Sequence, residues 1–372
     1  MSAPAPAPAA APPFTAAHEA LRAEIRAWVA ADLRPHAAAW EVAKRFPDEV
    51  FRRCGERGYL GLKFDPRHGG TDGGFYADAV FAEELARCGS GGLAAGIGAH
   101  ASIALPPIDK FGTEEQKQRF LVPGIRGEKI AALGITEPDA GSDVAGLRTR
   151  AERVDGGYVV NGSKMFITNG VRADVIVTAV RTRPEGGHHG LSFLLVERGE
   201  GVSASAIDKL GWAASDTALI ALDDVFVPRE HLLGAEDKGF YLIMANFQWE
   251  RLLMALGSVG GMVALVERLE REAPHSQAAR HRVAEIATAA QTGRALTYHA
   301  LRRFVEGGDA VQEVTMAKLA TQRAAFDAYD AALDLLGDDP QIARAARDSR
   351  LGPIGGGTDE IMKEILSRTM GA

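Results

Sequence analysis

The chain has 372 residues, 46% of them hydrophobic, enough to bury one large core or two to three linked ones. Its net charge is -7, and its lysines and arginines are scattered among acids instead of lining one stripe, which argues against a nucleic-acid partner. No uninterrupted run of about 18 apolar residues is present, so no membrane insertion is expected; the two cysteines, Cys54 and Cys88, fit no metal-ligand spacing and suit a reducing, cytoplasmic setting.

In chain order, residues 1–13 ("MSAPAPAPAAAPP") read as a disordered Pro/Ala-rich tail without the charged and apolar regions of a secretion signal. Residues 14–129 read as a helical domain, with apolar residues three and four apart in "LRAEIRAWVAADL" and "YADAVFAEELARC". Thr113 with Gln116 makes a capping-box helix start, and the glycines of "HGGTDGG" and "GSGGLAAGIG" mark turns and close contacts. Residues 130–238 change to period two and read as a β-domain. "GYVVNGSKMFITNG" carries a hairpin signal at Asn161-Gly162, and "DVIVTAV", "LSFLLVE", "VSASAI" and "ALIALDDVFV" continue as short strands.

Residues 239–372 return to helices, about four of them, packed as a bundle. In the first, Phe240, Ile243, Phe247, Glu250, Met254, Gly257 and Gly261 fall on one face, so Glu250 stands in an otherwise apolar or small seam. Burial there raises a carboxyl pKa and makes the ionised group a stronger base; the competing reading is a partly exposed helical Glu in an ion pair. Near the C-terminus, "PIGGGTDE" places three glycines, Gly355 to Gly357, before a last helix, where backbone can approach another group closely.

The segment "ALGITEPDAGSDVAGLRTRA" resembles the flavin-binding signature of the acyl-CoA dehydrogenase family. The likeness runs from about Leu21 to Met370, through "KFGTEEQKQRFLVPGIRGEK", "VVNGSKMFITNG", "KLGWAASDTALIALDDVFVP", "QWER" and "GPIGGGTDEIMKEIL". It implies a mostly α fold with a central β-domain: an N-terminal helical domain, a middle β-barrel or sandwich and a C-terminal four-helix bundle. It further implies FAD as cofactor, an acyl-CoA or acyl-carrier-protein thioester as substrate, an acceptor like electron-transfer flavoprotein, and a homo-dimer or homo-tetramer. By the same resemblance Ile135, Thr136, Gly141 and Ser142 lie along the flavin, with Ser142 also toward substrate. Phe166, Ile167 and Thr168 pack on its ring, and Thr358 and Glu360 touch the cofactor. Gly356 and Gly357 form a wall of the acyl pocket, where a backbone N–H polarises the thioester carbonyl.

In many members the catalytic Glu stands two residues before the Thr of the glycine motif, a position held here by Gly356. In long-chain and isovaleryl-type members it precedes an Arg on a C-terminal-domain helix, which here is Glu250-Arg251. The resemblance therefore implies Glu250 as base and places Arg251 near the thioester. Two elements that embrace the adenine and pyrophosphate of a neighbouring subunit's FAD are replaced by "REAPHSQAARHR" and "DLLGDDPQIA", where Asp338 and Asp339 add negative charge with no cation in view. The expectation is FAD binding that is weakened or completed by a different subunit. Complete loss of flavin is the alternative, leaving redox-neutral proton chemistry on a thioester in specialised biosynthesis, or a non-catalytic half-site subunit of a hetero-oligomer.

Overall fold

A computed structural model describes residues 13–185 and 187–371. Of the tail expected at residues 1–13, all but Pro13 lies outside the described residues. The chain then passes from helices to strands and back to helices.

Three helices frame the first part: α1 (Ala16–Trp28), α2 (Gly74–Leu85) and α3 (Gly91–Gly98). Thr15 and His18 close a capping box at the start of α1, and the expected Thr113–Gln116 box is also formed. Ile25 and Trp28 of α1 enter a core shared with α2, and Arg22 is buried between the two helices, where it pairs with Glu83 and Glu84. After α3 the helix widens into a π-helical segment, Ala99–Ala104, a geometry often found at functional sites. His100 fastens it: Nδ1 accepts from the Ala131 N–H at 3.0 Å and Nε2–H donates to the Gly124 carbonyl at 3.0 Å.

The middle part is one mixed sheet of β1 (Ala131–Gly134), β2 (Arg150–Val154), β3 (Gly157–Ile167), β4 (Val175–Arg181), β5 (Leu191–Glu197), β6 (Val202–Ala206), β7 (Ala218–Pro228) and β8 (Leu232–Leu233). Its order is β6-β7-β3-β2-β4-β5-β8, with β1 parallel to β4. Strand β4 is covered on both sides, which is why it reads as an almost unbroken apolar run. Val175, Val177 and Ala179 face the N-terminal helices, while Ile176 and Val180 face a second core within the sheet's own folds.

The hairpin expected at Asn161-Gly162 is absent. Those residues sit inside β3 at a bulge against β7, where Asn161 exchanges hydrogen bonds with Asp224. The β2–β3 turn is Asp155-Gly156, with Gly156 at φ +76°. Both dipeptides carry the same turn chemistry, and the cross-strand bond from Asn161 lets β3 run on.

The last part contains α4 (Gly239–Glu272), α5 (Gln277–Val305) and α6 (Val311–Leu336), packed on one another, with α7 (Pro340–Ser349) and α8 (Asp359–Thr369) against α6. Helix α4 also packs on α2 through Trp249, Leu252, Ala255 and Leu256. By length and composition α4 is apolar enough to cross a membrane, at a mean hydropathy of 1.6 over 18 residues, yet half of that window is buried inside the protein. All three parts meet at Asp348 of α7. Its buried carboxylate accepts from the Gly91 N–H at 3.0 Å and from the Trp212 N–H at 2.6 Å. Gly92 permits this junction, because a Cβ there would stand 2.6 Å from the Ser215 nitrogen.

Burial pushes the His100 imidazole down to about 4. An unfolded His protonates near 6.5, so the stabilisation is complete above that value and is lost as pH falls toward 4. For this group alone the loss is about 3 kcal/mol. Urea denaturation in neutral and in acidic buffer is expected to show that loss, and the wild-type drop is expected to exceed that of His100→Gln.

Candidate active site

A cavity of about 220 Å³ opens where the π-helical segment, the sheet, α4 and the glycine turn converge. Ala99 and Ile103 come from the first; Leu133, Ile135, Thr136, Gly141, Ser142 and Val144 from β1 and the loop after it; Phe166, Ile167 and Thr168 from the end of β3. Phe247, Glu250 and Arg251 come from α4, and Gly356, Gly357 and Ile361 close the remaining side. Asn246 ties α4 to the π-helical wall by donating to the Ile103 carbonyl at 3.1 Å. Thr358 and Glu360, expected at the cofactor, do not line this cavity. Thr358 caps α8 by accepting from the Ile361 N–H, and Glu360 points into solvent in the first turn of that helix.

On the sheet side the wall is held from behind by a buried ion pair. Lys164 Nζ lies 2.7 Å from Glu137 Oε1 and donates to the Ile135 carbonyl at 3.2 Å. Glu137 also accepts from the backbone N–H groups of Arg148 and Thr149. These bonds and Lys164 hold the Glu137 carboxyl below its ordinary range despite burial, and burial brings Lys164 down to about 8. Phe166 is held at φ +61° and is 59% exposed, and Asn169 is held at φ +64°. A bulky residue with positive φ is strained, and such strain persists only where the surroundings fix it. Met165 N–H to the Thr136 carbonyl and Asn169 to the Gly96 carbonyl, both 2.8 Å, provide that fixing.

Opposite stands Glu250. Its carboxyl is raised above the ordinary 4.5, first by burial, while Arg251 and Lys318 act to lower it. Arg251 is buried, with Nε 3.4 Å from the Gly356 carbonyl and the guanidinium 5.6 Å from the Phe247 ring centre. Gly356 and Gly357 have φ of +61° and +97°. A Cβ on Gly356 would lie 3.8 Å from Glu250 Oε1, so position 356 and the Glu250 carboxylate are neighbours. The Met254 sulfur, 2.5 Å from that Cβ, already fills the path. None of the hydrogen bonds of the described residues uses the N–H of Gly356 or Gly357, which leaves donors beside the cavity.

Sequence reasoning missed Lys164, Glu137, Met254 and Lys318 as parts of the site. Lys318 had the same signal as Glu250: it falls on the buried seam of Val314, Thr321 and Ala325 at spacings of three and four.

The chain matches the family models for the acyl-CoA dehydrogenase N-terminal domain over residues 15–128, middle domain over 132–225 and C-terminal domain over 237–371. It is 35% identical to the mitochondrial long-chain specific acyl-CoA dehydrogenase of Sus scrofa, over 95% of this chain and 86% of that protein. It is 33% identical to the isovaleryl-CoA dehydrogenase of Arabidopsis thaliana, over 91% of this chain and 87% of the relative. A crystal structure of an acyl-CoA dehydrogenase from Geobacillus kaustophilus superposes with a TM-score of 0.93 at 35% identity, covering 98% of this chain and all of the other. The FAD complex of PigA superposes at 0.92 with 26% identity, covering 96% of this chain and 98% of that one. The protein belongs to the acyl-CoA dehydrogenase family, whose members are FAD flavoprotein oxidoreductases acting on acyl thioesters.

The cavity fits the ring half of FAD. It offers an apolar plate, an exposed Phe166, and a Gly141 whose Cβ position has nothing within 4 Å. The charge expected at Asp339 is corrected by the structure: Arg268 binds that carboxylate with both terminal nitrogens, at 2.6 and 3.1 Å, and Asp339 caps α7. Arg268 holds its pKa down to about 2. The carboxylate is thus not a bare charge, and the arginine is already engaged.

Gly357→Ala would push a Cβ to 2.5 Å from Met362 Cε at a φ that disfavours any side chain. Thermal or urea melts are expected to show a loss of about 2 kcal/mol, the sum of overpacking and backbone strain.

Proposed function

We propose that this protein is an FAD-dependent acyl-thioester α,β-dehydrogenase with Glu250 as its base. The observation that carries the reading is the convergence of Glu250, the glycine turn and the Ile135–Thr136 and Phe166–Thr168 segments on one cavity. Ile135, Thr136, Gly141, Ser142, Phe166, Ile167 and Thr168 would hold the flavin ring. When bound, FAD supplies the acceptor for the hydride that leaves the β-carbon.

The chain's own residues govern the other half of the reaction. Glu250 Oε1 takes the proton from the carbon next to the thioester carbonyl, and breaking that C–H bond sends negative charge to the thioester oxygen. The N–H groups of Gly356 and Gly357, free of internal partners, are the donors for that oxygen. Arg251 steadies the turn through the Gly356 carbonyl, and the apolar wall of Ala99, Ile103 and Phe247 excludes water from the carboxylate. Acyl-CoA is the substrate carrier favoured by the likeness to long-chain specific acyl-CoA dehydrogenase and isovaleryl-CoA dehydrogenase.

Glu250→Gln keeps size and hydrogen bonding but removes basicity. Turnover of octanoyl-CoA or butyryl-CoA with an artificial electron acceptor is expected to fall about 10²- to 10⁴-fold, with thioester binding retained. Unchanged turnover overturns the assignment. Because burial raises the Glu250 pKa, wild-type activity is expected to climb with pH through a midpoint above 4.5.

Arg268 is already engaged by Asp339 and Glu272 where the family resemblance expects contacts to the adenine half of FAD, so we also propose a homo-oligomer with readily released flavin. Sedimentation at micromolar concentration is expected to give a dimer or tetramer of the 39.5 kDa chain. Exhaustive dialysis is expected to bleach the flavin absorbance, and added FAD to restore it.

A further inference from the structure

Behind the glycine turn lies a cation that the proposed reaction does not use directly. We propose that Lys318 is a positioning residue of the site: from α6 its buried ammonium holds the Gly357 carbonyl, fixes the glycine turn against Glu250, and completes with Arg251 the positive charge facing that carboxylate. The inference rests on Glu250 being the base.

Lys318 is 0% exposed, and Nζ donates to the Gly357 carbonyl at 2.6 Å. Among the described residues this is the only hydrogen bond the ammonium makes, and no carboxylate lies within salt-bridge distance of it. Burying an ammonium is costly, and one neutral carbonyl does not offset that cost, so packing alone does not account for a lysine here. The same turn is held on its other carbonyl by Arg251, through Gly356. In a trans peptide C=O and N–H point in opposite directions, so the Arg251 hold on the Gly356 carbonyl turns the Gly357 N–H, one of the two proposed donors, away from the cation, and the Lys318 hold on the Gly357 carbonyl fixes the other side of the same residue.

The charges around the pair are few. Glu250 on α4 is faced by Arg251 of its own helix and by Lys318 of α6. Lys318 is faced by Asp359 of α8 and Glu250, which favour its charge, and by Arg251 and Arg323, which oppose it. Asp359 is itself buried, paired with Arg323 through one oxygen, while the other oxygen has no hydrogen-bond partner. Burial brings Lys318 down to about 8, so it is charged at neutral pH and stabilises the ionised form of Glu250 there.

Proton exchange at the α-carbon tests this without relying on electron transfer. Full-length protein is incubated anaerobically with butyryl-CoA in D2O over a range of pH, and deuterium in the recovered thioester is measured by mass spectrometry. Wild-type exchange is expected to rise with pH to a plateau as Glu250 ionises. In Lys318→Met that rise is expected to move up by about one pH unit, because a cation near the carboxylate is gone. Butyryl-CoA affinity is expected to weaken about tenfold as the turn loosens. Lys318→Arg is expected to restore both. If Lys318→Met fails to fold by circular dichroism, Lys318→Gln carries the same expected shift. A folded neutral variant whose pH profile matches wild type overturns the proposal. Wild-type exchange no faster than that of Glu250→Gln overturns the base assignment instead, and the role of Lys318 with it.

Discussion

The carboxylate proposed as the base must ionise in order to act, yet it is set among apolar groups that disfavour its charge, and the structure around it answers both demands. Burial lifts the Glu250 pKa, toward the protonated form that cannot accept a proton. Two cations on different helices, Arg251 and Lys318, oppose that drift, and neither forms a close ion pair that would lock the carboxylate in place. Each is anchored on a carbonyl of the glycine turn instead. The turn is therefore the shared support of both cations and, in the proposed reaction, of substrate polarisation, and it is packed so closely that side chains at 356 and 357 would strike Met254 and Met362.

The sheet side works by a parallel device. Lys164 and Glu137 cancel each other in the interior and spend their remaining hydrogen bonds on Ile135, Arg148 and Thr149. A net-neutral pair behind the wall stiffens it without adding a field that would compete with the one around Glu250. Between the two sides, Asn246 and His100 lock the π-helical segment to α4 and to β1, so the cavity's apolar wall moves with both.

Much of this was readable from residue patterns because periodicity and burial are coupled. Glu250 and Lys318 are both charged residues at apolar positions of an amphipathic helix, and each proved to face the same turn. What the pattern could not supply was partnership across the chain. That Asp339 meets Arg268, or that position 356 lies beside Glu250 and Met254, depends on helices brought together from distant segments. The misplaced hairpin has the same origin. Asn161-Gly162 and Asp155-Gly156 are locally equivalent, and only a bond to Asp224, more than sixty residues on, tells turn from bulge. Thr358 and Glu360 fall away from the cavity because a helix cap, a local demand, takes the first and exposes the second.

Helix α4 carries the proposed base and is also the most membrane-like stretch of the chain. During synthesis it leaves the ribosome when α2 and the sheet are already complete, but before α5 and α6 exist to cover Met262, Leu265 and Leu269. For that interval the nascent chain displays a greasy rod with no partner on its far side, a surface that draws chaperones or other chains. An apolar seam around the proposed base thus carries a cost in biogenesis: the helix that bears Glu250 is also the apolar stretch left uncovered while the protein is being made.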